Sequence, residues 1–332
     1  MRILHVNDVA SVGAILVRAS HGRDMLYQPA LRRDAGGGAG GVARLAFRRM
    51  RDVSRLRRAF RHGAFTHLHV HYATFAILAD LAGIAYSLHV HGGDVLLDLD
   101  HPVKRSLVRR ALRRAHRVAV ATPDLVSPTR VLRPDAIYIP NPVDVPGSMR
   151  AWTNSLRPRI VMLSKMDRFK GWPDQVGLME ALVRKLPALE VSFFAHGQLP
   201  DAERQRLTSR LLALGGRVTP PLSREAFASH LAAHHFALGQ LEVGSLGMSE
   251  LQAMALGVPT IANVSAHDSV GDRPPVIPPR EAAEVVASLW HDGQQANAHR
   301  GQMGRDYVAQ HHQPERSLRT LESLLVGDFR PS

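Results

Sequence analysis

The chain has no cysteine among its 332 residues. That excludes disulfides and thiolate metal ligands, and a reducing compartment is the simplest setting. No apolar run approaches the ~20 residues needed to span a bilayer; the longest, around Phe75 to Leu88, is broken by Asp80. Met1 to Asn7 is too short and too soon polar for a signal peptide. A soluble, cytoplasmic protein is therefore expected. Lysine is also scarce, with four against 38 arginines. Arginine richness is a habit of the whole chain, so no arginine cluster is by itself a ligand site.

What is present is enough apolar residue, 45% of the chain, for two domains of ordinary size. The net charge of +13 is uneven, because residues 1–150 carry 23 Lys and Arg against 11 Asp and Glu, and residues 151–332 carry 19 against 18. A proline-dense stretch, Pro140-Asn141-Pro142-Val143-Asp144, coincides with that change and reads as the linker.

In the basic half, Ile3–Val6 reads as a buried strand, and the loop through Gly13 into the first helix faces the ligand side of a doubly wound sheet. Gly13 lies either near a ligand's phosphates or simply at a close helix contact. Gly36–Gly41 is too glycine-rich for a regular element, and Val42-Ala43 after it excludes a phosphate-cradling P-loop, which needs lysine and a hydroxyl there. From Ala43 to Arg61 the period is helical. Leu45, Val53, Leu56 and Phe60 share one face, and Arg44, Arg48, Arg51, Arg55, Arg58 and Arg61 the other. Such a helix is usually solvated; the alternative is an anionic lipid surface. His67, His69 and His71 alternate along one strand, and His89 and His91 end the next. The tight turn-pair spacing of zinc motifs is absent, so no metal is expected. Asp98-Leu99-Asp100 matches a metal-holding triplet too short to carry weight.

In the second half, a strand from Arg159 leads into a loop holding two of the four lysines, Lys165 and Lys170. The stretch Gln240–Asn263 reads as strand, glycine loop, short helix and strand, with Ser249 and Gln252 spaced as a capping box and Gly257 and Pro259 as the stop. A glycine loop opening into a helix offers unpaired N–H groups and the positive end of the dipole, which suits a diphosphate. A tight turn with no ligand has the same composition.

Leu251–Ile261, Leu-Gln-Ala-Met-Ala-Leu-Gly-Val-Pro-Thr-Ile, resembles the signature of retaining family 4 glycosyltransferases. The resemblance implies an α/β protein of the GT-B fold, with two Rossmann-like doubly wound domains facing across a cleft. The domains would be 1–145 on the acceptor side and 146–313 on the donor side, with a helix in 314–332 crossing back to the first. His91-Gly92-Gly93-Asp94 resembles the family's segment near the donor sugar, and Lys165 and Lys170 fall where the family holds the donor diphosphate. His91, Lys165 and Lys170 are thereby implied in catalysis. Gly13, Asp94, Gly197, Pro221, Leu222, Glu242, Gly244, Ser245, Leu246, Gly247, Met248, Ser249 and Gln252 are implied in donor binding.

The chain departs from the family in one place that matters. The family's two glutamates, eight apart, fall on Gly244 and Gln252, while Glu242 and Glu250 are displaced by two residues. Gln252 keeps an acceptor without the charge, and Lys165 loses the two-pronged geometry of arginine. The expected function is metal-independent, cofactor-free, retaining transfer from a nucleoside-diphosphate sugar to a glycan, lipid-linked or small-molecule acceptor. The alternative is a catalytically impaired relative acting as a scaffold or membrane-associated partner. The expected partners are the nucleotide sugar, the acceptor and an anionic membrane surface met through Arg44, Arg48, Arg51, Arg55 and Arg58, with no nucleic acid.

Overall fold

The computed structural model describes residues 1–29, 39–148, 156–271 and 273–327, with side chains for all of these except 39–46. The chain divides into two compact units. One is Met1–Pro142 together with the segment from Pro314, and the other is Val143–Gln313.

The first unit alternates β1 (Ile3–Val6), α1 (Val12–Ala19), β2 (Met25–Tyr27), α2 (Ala39–His62), β3 (His67–His71), α3 (Ala76–Ala82), β4 (Ser87–Val90), α4 (Gly93–Leu96), α5 (Lys104–Arg114), β5 (Val118–Val120), α6 (Val126–Arg130) and β6 (Ile137–Tyr138). The strands form a parallel sheet in the order β2-β1-β3-β4-β5-β6. Strands covered on both faces need no polar alternation, and Ile3, Leu4, Val6, Leu68, Val70, Leu88 and Val90 are all buried.

Of the expected glycine loop, Gly36–Gly38 lie outside the described residues, and Ala39–Gly41 instead form the first turn of α2. Those positions lack intrahelical partners for their N–H groups anyway, and propagation of the long helix behind them offsets the entropic cost of glycine. Val53 and Leu56 of α2 are buried, whereas Arg48, Arg51, Arg55, Arg58 and Arg61 are exposed. The side chains of Arg44 and Leu45 are outside the described set.

The second unit runs β7 (Arg159–Met162), α7 (Trp172–Lys185), β8 (Glu190–Phe193), α8 (Asp201–Ala213), β9 (Arg217–Val218), α9 (Arg224–Ala232), β10 (Phe236–Leu238), α10 (Met248–Ala255), β11 (Thr260–Ile261), α11 (Ala282–His291) and α12 (Gly293–His311). Its parallel sheet has the order β11-β10-β7-β8-β9. Trp172, Met179, Phe193 and Phe236 fill the core, and the Trp172 indole N–H donates to the Ser164 carbonyl at 3.1 Å. That bond pins the loop after β7 to the helix that follows it.

A last helix, α13 (Pro314–Val326), belongs to the first unit. It buries Leu318, Leu321 and Leu325, the Ser317 hydroxyl donates to the Pro140 carbonyl at 2.7 Å, and Glu322 pairs with Arg23. Among the described residues no helix is long and apolar enough to cross a membrane.

Candidate functional site

In the second unit the chain leaves β7 toward β8 and β9 on one side and later returns to β10 on the other. The loops after β7 and β10 therefore diverge at the carboxyl ends of adjacent strands, where open α/β sheets bind ligands. Both lysine positions and the glycine loop lie at this point.

The loop after β7 carries Lys165, exposed, and Lys170, half-buried. It is held by main-chain bonds rather than by the lysines. The Lys170 carbonyl accepts from the Leu241 amide at 3.1 Å and from Gln175 Nε2 at 2.8 Å. Gly171 then turns with φ +73°, and a Cβ there would stand 2.9 Å from Leu241 Cβ and 3.1 Å from Glu242 Cγ. Only glycine meets both demands, so Lys170 and Glu242 are brought onto touching loops.

The loop after β8 joins the same rim. The Met166 amide donates to the His196 carbonyl at 2.8 Å, and Asp167, buried, accepts from the Gln198 amide. A Cβ at Gly197 would fall 2.4 Å from the Met166 carbonyl oxygen. Pro221, exposed, and Leu222, half-buried, follow β9 one strand further out.

The glycine loop is built differently from its capping-box reading. The residue before α10 is Gly247, not Ser249, and no side chain caps the helix. Glu250, in the first turn, is buried and accepts from the Gln240 amide at 3.0 Å. Its carboxylate fills the space beside Gly239 and Gly247, where a Cβ would lie 2.8 and 2.9 Å from its two oxygens. Glu250 thus braces the end of β10 from beneath. Gln240, also buried, donates to the Ser245 and Asn263 carbonyls and accepts from the Val243 amide at 2.7 Å. These two residues shape the loop, and sequence reasoning gave neither a role. Leu246 and Gly244 are buried in it, with the Leu246 side chain in the apolar cluster around Leu251 and Met254. Ser245 is buried, Met248, Ser249 and Gln252 are half-buried, and Glu242 is exposed. The result is a start of α10 that no side chain caps, with Lys170 on the adjoining loop, a combination suited to a polyanion.

In the first unit the strand order reverses between β1 and β3. Four non-glycine residues with positive φ, Asn7, Ala10, Ser11 and Tyr72, lie in the two loops beside that reversal. Such strain collects at functional sites. The amide of Gly13, expected near phosphates, is taken by Asp8 Oδ1 at 3.0 Å, and a carboxylate there repels a phosphate. Asp94 is likewise turned inward. Its fully buried carboxylate accepts from the His91 amide at 3.0 Å and the Ala73 amide at 3.1 Å. Burial raises its pKa to about 6, against the pull of those amides. It fastens the turn that presents His91 instead of reaching a ligand. His91 is half-buried at the end of β4, its Nε2 3.0 Å from His71 Nδ1, and burial followed by His89 holds it well below the ordinary histidine range. Asp98 is committed to Lys104 at 2.7 Å and to the Tyr72 hydroxyl at 2.9 Å.

The structure thus gathers Lys165, Lys170, Gly197, Glu242, Gly244, Ser245, Leu246, Gly247, Met248, Ser249 and Gln252 on the loops and helix start at one end of the second sheet. His91, Asp94 and Gly13 belong to the first unit.

No protein-family model and no curated protein matches the chain. Solved structures do. HepE of Anabaena, crystallised with UDP and glucose, is 13% identical with a TM-score of 0.72, covering 98% of this chain and 99% of that one. Sucrose-phosphate synthase of Thermosynechococcus elongatus is 14% identical with a TM-score of 0.67, covering 98% of each. The lipopolysaccharide outer core galactosyltransferase WaaB, in its apo form, is 11% identical with a TM-score of 0.59, covering 98% and 99%. These likenesses show the fold: the chain is an α/β protein with two parallel sheets of the GT-B type.

Proposed function

We propose that the chain transfers a sugar from a nucleoside-diphosphate sugar, with retention and without a metal ion, to a glycan, lipid-linked or small-molecule acceptor. The observation that carries this is the meeting, at the strand reversal of the second sheet, of the uncapped start of α10 with the loop that presents Lys170. Main-chain amides and an ammonium group placed there would neutralise the diphosphate as it departs, and such preorganised donors are usually the largest single contribution to catalysis. His91 would contact the sugar, a role that rests on the family resemblance alone. HepE having been crystallised with UDP and glucose makes UDP-glucose the first donor to try.

The absence of carboxylates at Gly244 and Gln252, with Glu250 committed to bracing, favours one rival: a relative that binds the donor without turning it over. Thermal shift against UDP, GDP, ADP and their hexoses, followed by nucleotide release, separates the readings. Stabilisation with release supports transfer, and stabilisation without release supports the rival. If no nucleotide raises Tm, both are wrong.

The same reading includes an anionic membrane surface, reached through α2. Phe47 and Met50 are 66% and 57% exposed and share their face with Arg51, Arg55 and Arg58. Two bare apolar side chains among cations suit a lipid headgroup boundary better than bulk water. Sedimentation with anionic and neutral vesicles at physiological salt tests it. Binding to the anionic set, lost in Phe47→Ala/Met50→Ala, is expected; equal failure with both sets removes the membrane from the proposal.

A further inference from the structure

Three parallel strands of the first unit turn histidines onto one face of the sheet. The register sets His5 beside His69 and His71 beside His89, so β1, β3 and β4 each contribute. All four are fully buried. Ring centroids of His69 and His71 are 4.9 Å apart, those of His69 and His89 5.4 Å, and those of His71 and His89 5.5 Å. One ring nitrogen from each of His69, His71 and His89 lies within 4.8 Å of the others.

An apolar core has no use for so many imidazoles, since each brings two polar nitrogens that must find partners. Here they do not all find them: His5 Nε2 and His89 Nε2 are buried with no hydrogen-bond partner. His69 is held from outside the cluster: its Nδ1 lies 2.7 Å from the Ser87 hydroxyl, which also lies 3.3 Å from the Leu68 carbonyl. His69 Nε2 faces the cluster, 3.4 Å from His89 Nδ1. A ring nitrogen held by an outer polar group, with the other aimed inward, is how metal-ligating histidines are oriented.

We propose that His69, His71 and His89 bind a divalent transition ion of the zinc, cobalt or nickel class. Metal–nitrogen bonds of about 2.0–2.1 Å in a tetrahedral shell set ligand nitrogens about 3.3 Å apart, so small rotations of the rings close the site. His5 backs the site, its Nδ1 3.1 Å from His71 Nε2 and its ring 5.5 Å from that of His69. The donor set is all imidazole, which suits these ions and not the oxygen-seeking magnesium or calcium. Because His71 Nδ1 is 3.0 Å from His91 Nε2, an ion on the cluster also settles which way His91 is held. The inference is independent of sugar transfer, whose diphosphate contacts are read in the other unit.

The test uses the full chain without an affinity tag, refolded with one equivalent of zinc chloride or with none, then passed over chelating resin. One retained zinc per chain is expected, with Tm raised by about 5 °C over the zinc-free preparation. The cobalt-loaded protein should show the visible absorption of a tetrahedral nitrogen site. His69→Gln/His89→Gln should lose the ion and the absorption. Should that variant fail to fold, X-ray absorption on the zinc-loaded native chain decides, a shell of three or four imidazoles supporting the site. Zinc removed by the resin with Tm unchanged, retention undiminished in the folded double variant, or an oxygen-rich shell would each overturn it and leave an imidazole hydrogen-bond network without an ion.

Discussion

Lys170→Ala removes one ammonium group from the rim of the second sheet and almost nothing else. The bonds that hold the loop use the Lys170 carbonyl, which accepts from Gln175 and from Leu241, and alanine keeps that carbonyl. Outside its main chain the lysine packs its cation 5.3 Å from the Phe169 ring centre, a contact worth about 0.5–1 kcal/mol where solvent reaches it. Stability should therefore change by no more than about 1 kcal/mol. Toward a diphosphate the effect is larger. At ~4 Å and an effective dielectric of about 20, a unit charge pair is worth about 4 kcal/mol. Loss of one preorganised donor to a developing oxyanion costs about 2.7–4 kcal/mol. Both figures place the fall in kcat/KM for the nucleotide sugar at about 10²–10³-fold. Coupled detection of released nucleoside diphosphate reads it, with circular dichroism and Tm confirming the fold. Lys185→Ala is the matched control, because Lys185 sits at the far end of α7 and pairs with Glu284 at 2.6 Å on the surface. If folded Lys170→Ala stays within about threefold of the parent, the diphosphate is not held where the loops meet, and the reasoning from the strand reversal fails.

The three tryptophans, Trp152, Trp172 and Trp290, all fall in the second unit, so fluorescence follows its unfolding separately. By that readout Glu250→Ala should cost about 2–4 kcal/mol, as it strands the buried Gln240 amide and opens a hole under two glycines, while Glu250→Gln should cost about 1. Equal, negligible losses would show that the brace carries no load. Gly197→Ala should lower Tm and weaken nucleotide binding together, because its methyl would collide with the Met166 main chain; unchanged binding would exclude the loop after β8 from the site. His234 supplies a pH signature. Burial lowers its pKa to about 4, and it donates from Nδ1 to the His230 carbonyl while Nε2 faces Ser192 Oγ at 3.0 Å. The unfolded chain binds this proton first, so its stability contribution is whole above the ordinary 6.5 and drains as pH falls toward 4, with about 2 kcal/mol gone by pH 5. His234→Gln should flatten that stretch of the stability curve, and an unaltered slope would assign the titration elsewhere.

What the sequence made legible was whatever is local. Ile3–Val6 and Arg159–Met162 announce buried parallel strands by their apolar runs. The glycines and lysines of the second unit stand at strand ends, where a doubly wound fold is expected to keep its ligand loops. Less legible was everything that depends on which strand lies beside which. The alternation of His67, His69 and His71 speaks only of one strand's face; no spacing rule along the chain relates His5, 64 residues earlier, or His89, 20 residues later, to His69, yet the sheet register makes them neighbours. The carboxylates failed to declare themselves for a related reason. Asp94 is implied in donor binding by the resemblance, but it, like Asp8, Asp167 and Glu250, accepts a main-chain N–H, because loops that bend tightly at strand ends leave donors that something must satisfy. Once those four are committed, and Asp98 with Lys104, the chain's scarce lysines are what remain open toward a polyanion on the second sheet's rim. That is the physical reason for weighting Lys170 above any acid in the site.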